Sequence, residues 1–231
     1  MNIGVIPARL ESTRLYRKIL YPIQGRPMIV HVYDRAKQSK MLHSVKLAID
    51  SEITAKELSN FDIDMVMTAQ AHVSGSDRVG EVVERLEADI VVNIQGDEPL
   101  IDPQLIDELV KIFDDEEVQM ATIASTDLSI ADCGDENTVK VKIDKYGNAI
   151  GFKRNIDTDD LKNYFRHVGL YAYRKKQLMD FIELQPTESE KKFHLEQLRA
   201  IENGIKIKAL ITDYPHRGVD TIEDIQRLTI D

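Results

Sequence analysis

The chain has little of what marks secreted or membrane proteins. Cys133 is the single cysteine among 231 residues, which excludes an internal disulfide framework and favours a reducing compartment. No apolar run is long enough to cross a bilayer, so no membrane partner is expected. Met1 leads directly into the strand-like run 3–6, without a charged and then apolar leader. We therefore expect a cytoplasmic protein.

Basic side chains are also fewer than acidic ones. The formal net charge of −10 argues against a nucleic-acid partner, because a protein that binds nucleic acid needs a basic face to neutralise many phosphates. A single nucleotide needs only a few well-placed cations and a metal. The surplus of acidic side chains is then a solvated surface.

Strand-like and helical patterns alternate through the first half of the chain. This alternation indicates an α/β fold with a mostly parallel sheet that is covered by helices on both faces. Ligands in such folds bind beyond the carboxyl ends of the strands. The predicted elements are strands at 3–6, 44–49, 64–67 and 90–94 and helices at 27–39, 53–61, 77–86 and 103–113.

The second half has a different pattern, with more strands and a hairpin signal at 144–148. No linker separates the halves, which predicts one domain over 1–231 with a nucleotide-binding half at about 1–118 and a smaller antiparallel lid or dimer region at about 119–231. The predicted elements are strands at 120–124, 139–143, 149–152, 167–173 and 206–211 and helices at 175–182 and 193–202.

A basic loop follows the first predicted strand. Residues 7–18 carry four cations, together with small residues that let backbone N–H groups approach a triphosphate. The loop has no Walker spacing and no G-x-G-x-x-G, which disfavours a kinase-type phosphate loop and a dinucleotide site. A solvated basic loop is the alternative interpretation. The candidate anion-binding residues are Pro7, Ala8, Arg9, Arg14 and Lys18.

An acidic turn follows the strand predicted at 90–94. In the run 95–99 (Gln-Gly-Asp-Glu-Pro), glycine and proline end the strand and expose two acids at the edge of the sheet. Carboxylates in that position suggest a metal site, although a turn with solvated acids has the same pattern. We predict that Asp97 is a metal ligand and that Glu98, which points the other way, is structural.

Runs of residues along nearly the whole chain resemble the 3-deoxy-manno-octulosonate (Kdo) cytidylyltransferases. Each run alone is a weak signal, but the set, in this order, is specific to that family or a close relative. The runs are residues 6–9, 12–15, 18, 25–32, 67–68, 72, 74–78, 95–99, 166–173, 195–199 and 218–221.

The resemblance implies a Rossmann-like sheet of the nucleotidyltransferase type and a homodimer formed through the second half. Its partners would be CTP and an acidic 3-deoxy-2-ulosonic sugar, Kdo or a related one. Such enzymes transfer a cytidylyl group to the anomeric hydroxyl of the sugar and release pyrophosphate, with Mg²⁺ required, for surface-polysaccharide synthesis. Because every reacting group is negative, positioning and charge neutralisation would dominate catalysis.

The resemblance also implies roles for individual residues. The catalytic residues would be Arg9, Lys18, Asp97 and Asp220, of which Asp97 and Asp220 would hold Mg²⁺. The nucleotide-binding residues would be Pro7, Ala8, Arg9, Arg14, Lys18, Thr68, Ser74, Arg78 and Gln95. The sugar-binding residues would be Arg154, His167, Tyr171, Glu196 and Gln197. By itself Asp220 has the pattern of a helix N-cap, and capping by Thr221 would leave its carboxylate for the metal.

Two stretches depart from the family pattern. Tyr16 and Arg17 stand where Pro-Gly is usual, and the sugar-pocket block has Lys153 in place of a serine, lacks its proline and is followed by a shortened insertion. Arg154 is retained and would pair with the sugar carboxylate. These departures leave two alternatives to Kdo transfer. One is a transferase of the same fold for another sugar, such as a sialic-acid-like acid, and the other is a nucleotide-binding homologue without activity.

Overall fold

The computed structural model describes residues 1–12, 15–215, 218–219 and 221–228. The chain divides into two compact units, Met1–Val110 with the described part of Arg217–Asp231, and Lys111–His216. The sequence predicts a division near 118 and assigns all of 119–231 to the second half. The C-terminal segment belongs instead to the first unit, because Val219 packs against Ile23 and Met28 in its core. Within the described residues, no helix has the length and apolar character that a membrane crossing requires.

The first unit contains a sheet in which β1 lies between β4 and β6, and β5 flanks β4. All three pairings are parallel. β1 is buried along most of its length, as expected for a strand in the middle of such a sheet. The elements are β1 (Asn2–Ala8), β2 (Pro22–Ile23), β3 (Arg26–Pro27), α1 (Met28–Ala36), β4 (Ser44–Ile49), α2 (Glu52–Glu57), β5 (Met65–Met67), α3 (Gly75–Glu84), β6 (Ile90–Asn93), α4 (Pro103–Lys111) and, from the C-terminal segment, α8 (Ile222–Arg227).

Short polar side chains cap three helices of this unit, α2, α3 and α8. Ser74 caps α3 and forms a capping box with Asp77, so the run 74–77 is a helix start, as its sequence allows. Thr221 caps α8 in the same way, with Asp224 as its partner. Thr221, the residue after Asp220, is therefore the cap of α8. Asp220 itself lies outside the described residues.

The second unit has a mixed sheet. β10 is antiparallel to β7 and to β8, β8 and β9 form a hairpin, and β9 is antiparallel to β11. β11, however, is parallel to β7, so the expected purely antiparallel arrangement is wrong for this strand. The chain reaches β11 from a helix rather than through a hairpin, which permits the parallel direction. The elements are β7 (Met120–Ser125), β8 (Lys140–Ile143), β9 (Asn148–Lys153), β10 (Phe165–Arg174), α5 (Lys175–Ile182), α6 (Glu188–Phe193), α7 (Gln197–Glu202) and β11 (Ile207–Thr212).

The helix predicted at 193–202 begins four residues later in the structure, and the helix that precedes it, α6, was not predicted. α6 ends at Phe193, and His194 follows with a left-handed backbone (φ 52°) that no α-helix continues through. α7 then starts at Gln197. The apolar spacing of 195–201 predicts the second helix correctly, but it carries no signal for the turn before it.

Candidate functional site

The basic loop leaves the first unit's sheet at the carboxyl end of β1. Pro7 and Ala8 are the last residues of β1, and Arg9 follows with an exposed side chain. Over the described ranges, the Arg9 guanidinium forms no hydrogen bond or ion pair. An exposed cation beside the sheet edge is available to a polyanion. Arg14 lies outside the described residues.

Lys18 and Asp97 form an ion pair that also holds the C-terminal segment. Nζ of Lys18 lies 2.6 Å from Oδ2 of Asp97 and donates to the carbonyl oxygen of Val219 at 3.0 Å. The backbone N–H of Val219 donates in turn to the carbonyl oxygen of Asp97 at 2.9 Å. Residues that are distant in sequence thus meet at the acidic turn, and the residue that precedes Asp220 in the chain is bound there.

The donor chemistry at Asp97 suits a magnesium ion. The Asp97 side chain is 31% exposed, whereas that of Lys18 is 12% exposed. Oδ2 accepts from Lys18, and in the part of the chain that the structure describes, Oδ1 accepts no hydrogen bond. No cluster of three or more metal-ligating side chains occurs among the described residues. An exposed carboxylate oxygen is a ligand of the kind that Mg²⁺ uses beside phosphate and water, and the binding of the ion by Asp97 stays a prediction.

Glycine at position 96 lets the acidic turn approach the end of β1. A Cβ at Gly96 would lie 2.9 Å from Cδ1 of Ile29 and 3.3 Å from the carbonyl oxygen of Pro7. Any larger residue would push the turn away from β1. The acidic turn and the start of the basic loop are therefore neighbours, as the topology of parallel strands predicts.

A buried hydrogen-bond network joins Arg78, Thr68 and Asp50 in the first unit. Arg78, which is 3% exposed, donates to Thr68 Oγ1 at 2.6 Å and to Asp50 Oδ2 at 3.1 Å. Thr68 donates to the carbonyl oxygen of Ile49, and Oδ1 of Asp50 accepts from the backbone N–H of Leu10 at 2.9 Å. The predicted pair of Thr68 and Arg78 is thus in contact. Asp50, which joins that pair to the basic loop, is absent from the residues that the sequence singles out.

Ser74 and Gln95 also lie in the first unit, and each forms a hydrogen bond to a residue close by in sequence. The Ser74 hydroxyl accepts from the backbone N–H of Asp77, so its side chain is used in capping α3. Gln95 follows β6 and donates to Oδ1 of buried Asn93 at 3.4 Å. The structure gives both residues a local structural role, and their contact with a nucleotide stays a prediction.

Arg17, one of the departures from the family pattern, has a left-handed backbone. Its φ is 48° and its ψ is 45°, a conformation that glycine adopts without strain and that other residues adopt at a cost. The sequence pattern of the family places a glycine there. The loop therefore keeps the conformation that glycine favours, although the residue has changed.

Glycine should be more stabilising than alanine at position 17. We expect the free energy of unfolding of Arg17→Gly to exceed that of Arg17→Ala by about 1 kcal/mol, because both variants lose the guanidinium but only alanine keeps the strained Cβ. Urea unfolding of the two variants measures the difference. Equal midpoints would show that this backbone carries no strain.

In the second unit, His167 and Tyr171 lie side by side on one face of β10. Their ring centroids are 5.3 Å apart, and those of His167 and Phe152 are 5.0 Å apart with the two rings nearly perpendicular. The expectation that the two side chains share a face is confirmed. Nε2 of His167 lies 3.0 Å from Oγ1 of Thr122, a residue of β7 that the sequence does not single out.

The Tyr171 hydroxyl is a buried donor. Burial raises the pKa of Tyr171 well above its ordinary value, and the nearby charges of Tyr173 and Glu196 act in the same direction. Among the described residues, the hydroxyl makes no hydrogen bond of normal geometry, although Thr122 is close enough to lower the pKa slightly. An orphaned buried hydroxyl of this kind suits a hydrogen bond to a ligand.

Arg154 is engaged by the backbone. Its guanidinium donates to the carbonyl oxygens of Phe193, Glu136 and His194 at 3.0, 2.7 and 3.1 Å. It therefore clamps the turn between α6 and α7. Its predicted role as partner of a sugar carboxylate is untested, and three of its five N–H groups already have acceptors.

The turn that Arg154 clamps leads into Glu196 and Gln197. Arg199, which is 3% exposed, donates to Glu190 through two nitrogens at 2.9 and 2.8 Å and to Glu196 at 3.3 Å. The buried arginine thus holds the Glu196 carboxylate, which is 28% exposed. Gln197 is buried at the start of α7. Glu196 lies near enough to Tyr171 for its charge to raise the pKa of that hydroxyl, so these two predicted sugar-binding residues are neighbours within the second unit.

Comparisons with known proteins identify the family of this chain. A cytidylyltransferase family model matches residues 3–207. The 3-deoxy-manno-octulosonate cytidylyltransferase of Geotalea uraniireducens is 40% identical over 97% of this chain and 96% of its own length. The protein of the same name from Geobacter sulfurreducens is 39% identical over 99% of this chain and 98% of its own length.

Solved structures extend the likeness to the fold. A CMP:2-keto-3-deoxy-manno-octonic acid synthetase complexed with CTP is 36% identical with a TM-score of 0.90, over 98% of this chain and 95% of that one. A 4-diphosphocytidyl-2C-methyl-D-erythritol synthase from Anaerococcus prevotii, 15% identical with a TM-score of 0.64 over 97% of this chain and 94% of that one, shares the fold alone. The chain belongs to the cytidylyltransferase family, among the 3-deoxy-manno-octulosonate cytidylyltransferases.

Proposed function

We propose that this chain transfers the cytidylyl group of CTP to Kdo and releases pyrophosphate. The observation that carries the proposal is the likeness of sequence and fold, over nearly the whole chain, to a synthetase of this kind solved with CTP. The position of Lys18, which Asp97 holds at the carboxyl edge of a sheet, supports it, because both substrates are anions and a fixed ammonium group can bind them. Transfer for surface-polysaccharide synthesis follows from the same proposal.

The reaction requires charge neutralisation more than covalent catalysis. A bond forms between the anomeric oxygen and the α-phosphorus as the hydroxyl gives up its proton to water, while the bond from that phosphorus to the bridging oxygen of pyrophosphate breaks. Charge then collects on the departing pyrophosphate. Lys18 is held in one orientation by Asp97 and Val219, so little reorganisation is needed to meet that charge. Arg9 adds an exposed cation at the end of β1.

Mg²⁺ dependence is part of the proposal. Asp97 would hold the ion with Asp220, and the ion would neutralise and orient phosphate oxygens. The unshared oxygen of Asp97 and the binding of Val219 beside it support this assignment.

The acceptor half of the proposal depends on the second unit. His167, Tyr171 and Glu196 offer an imidazole, a phenol and a carboxylate near one another, which suits a sugar with many hydroxyl groups. The backbone contacts of Arg154 use three of its N–H groups, so its pairing with the sugar carboxylate stays a prediction. Transfer to another acidic sugar is the alternative that Lys153, at the altered position, leaves open. The homodimer, the lid or dimer role of the second unit and the cytoplasmic location stay predictions from the sequence.

A substrate screen tests the function. Purified protein should release pyrophosphate when it is mixed with CTP, Mg²⁺ and Kdo, and mass spectrometry should show the CMP-sugar. ATP, GTP and UTP in place of CTP, and sialic and other ulosonic acids in place of Kdo, are the matched controls. Release with a different acid alone would move the protein to another acceptor. CTP binding by calorimetry without release for any acid would identify a homologue without activity.

A further inference from the structure

An irregularity in β10 brings Thr122 next to two predicted sugar-binding residues. Val168 pairs with Ile123 of β7, but the next pair along β7 joins Thr122 to Tyr171, so Gly169 and Leu170 have no partner there. Because two residues are inserted rather than one, the alternation of faces is preserved. His167 and Tyr171 therefore stay on the face that carries Thr122.

The Thr122 hydroxyl bridges the bulge and the histidine. Thr122 is fully buried, and its Oγ1 lies 2.9 Å from the carbonyl oxygen of Leu170 and 3.4 Å from that of Val168. A carbonyl oxygen can only accept, so the hydroxyl proton points to the bulge. Toward His167, 3.0 Å away, the Thr122 oxygen must then act as an acceptor, and Nε2 of His167 must carry a proton.

We propose that Thr122 is a positioning residue for the acceptor sugar, which holds neutral His167 as the Nε2–H tautomer. In that tautomer Nδ1 is a hydrogen-bond acceptor, while the neighbouring Tyr171 hydroxyl stays protonated and donates. Phe152 and Tyr171 pack against the imidazole ring and restrict its rotation. The role toward the sugar rests on the proposed function, but the tautomer does not.

Two substitutions at Thr122 test the effect of the hydroxyl separately from the effect of side-chain shape. Thr122→Val keeps the volume and removes the hydroxyl, whereas Thr122→Ser keeps the hydroxyl. We expect the KM for Kdo to rise about tenfold in Thr122→Val, with the KM for CTP within about twofold of the parent, and to return close to the parent value in Thr122→Ser. Thr54→Val is the matched control, since Thr54 is a fully buried threonine of α2 whose hydroxyl has no partner among the described residues.

The tautomer is measured directly by long-range ¹H–¹⁵N correlation spectra. The chain has six histidines, and the spectrum of a His167→Gln variant assigns the signal. The parent protein should show Nε2–H at His167 above the pKa of the ring, and Thr122→Val should lose that preference. An Nδ1–H tautomer in the parent, or an unchanged KM for Kdo in Thr122→Val, would overturn the proposal. Absence of turnover by the parent with every acid would refute the proposed function and leave the tautomer test intact.

Discussion

Replacing Asp97 by asparagine should lower the rate of cytidylyl transfer by about 10²–10³-fold or more. The change removes the negative charge that would hold Mg²⁺ against the phosphates. The amide oxygen of asparagine can still accept from Lys18, whose Nζ lies 2.6 Å from Oδ2, so the variant should stay folded. Pyrophosphate release under saturating CTP and Kdo measures the rate, and circular dichroism checks the fold.

A matched change close by in sequence controls for the loss of one charge. Asp102→Asn alters charge in the same way, but Asp102 accepts from the backbone N–H of Gln104 at the start of α4, a role that asparagine fills equally well. Its activity should stay near that of the parent. In the presence of CTP, Asp97→Asn should also bind Mn²⁺ at least about tenfold more weakly by electron paramagnetic resonance. Parent-like activity and Mn²⁺ binding in Asp97→Asn would remove Asp97 from the metal site.

The strands and helices predicted for the first unit are found there because each depends on local pattern, whereas the two-residue strands β2 and β3 were not predicted. The strand predicted at 44–49 has the same bounds in the structure, and the others differ by a few residues. β-branched apolar runs and amphipathic helices leave a clear period in such a sequence. The parallel direction of β11 was not predictable in this way, because strand direction depends on the route of the chain between elements.

The predicted site residues divide in the same manner. Lys18 and Asp97 could be assigned to one site from sequence, because a basic loop and an acidic turn that follow neighbouring parallel strands meet at one edge, but their ion pair was not predicted. Asp50 and Thr122 could not, since each acts through contacts with residues far away in the chain. Asp50 follows a strand and Thr122 lies within one. Both are common places for these residue types, so neither stands out in the sequence. Arg154 shows the reverse, because its retained sequence pattern gives no sign of its three backbone acceptors.

Removing the Asp50 carboxylate should have the largest effect on stability. Arg78 is 4% exposed in its side chain and Asp50 13%, so Asp50→Ala leaves a buried guanidinium without its counter-ion. Losing one partner of a buried ion pair costs about 3–5 kcal/mol in the free energy of unfolding. The backbone N–H of Leu10 loses its acceptor in the same step, which loosens the loop that carries Arg9. Urea unfolding measures the loss.

A double-mutant cycle shows whether this cost comes from the unpaired charge. Arg78→Met together with Asp50→Ala should be less destabilising than the sum of the two single changes, because no buried charge is then left without a partner. The exposed pair of Arg26 and Asp34, whose side chains are 45% and 44% exposed, is the control. Asp34→Ala should change the free energy of unfolding by less than about 1 kcal/mol, since water screens an exposed pair. If the costs of the two single changes simply add, Asp50 and Arg78 stabilise the first unit independently. Asp50 would then not couple the basic loop to Thr68 and Arg78, the residues predicted to recognise the base.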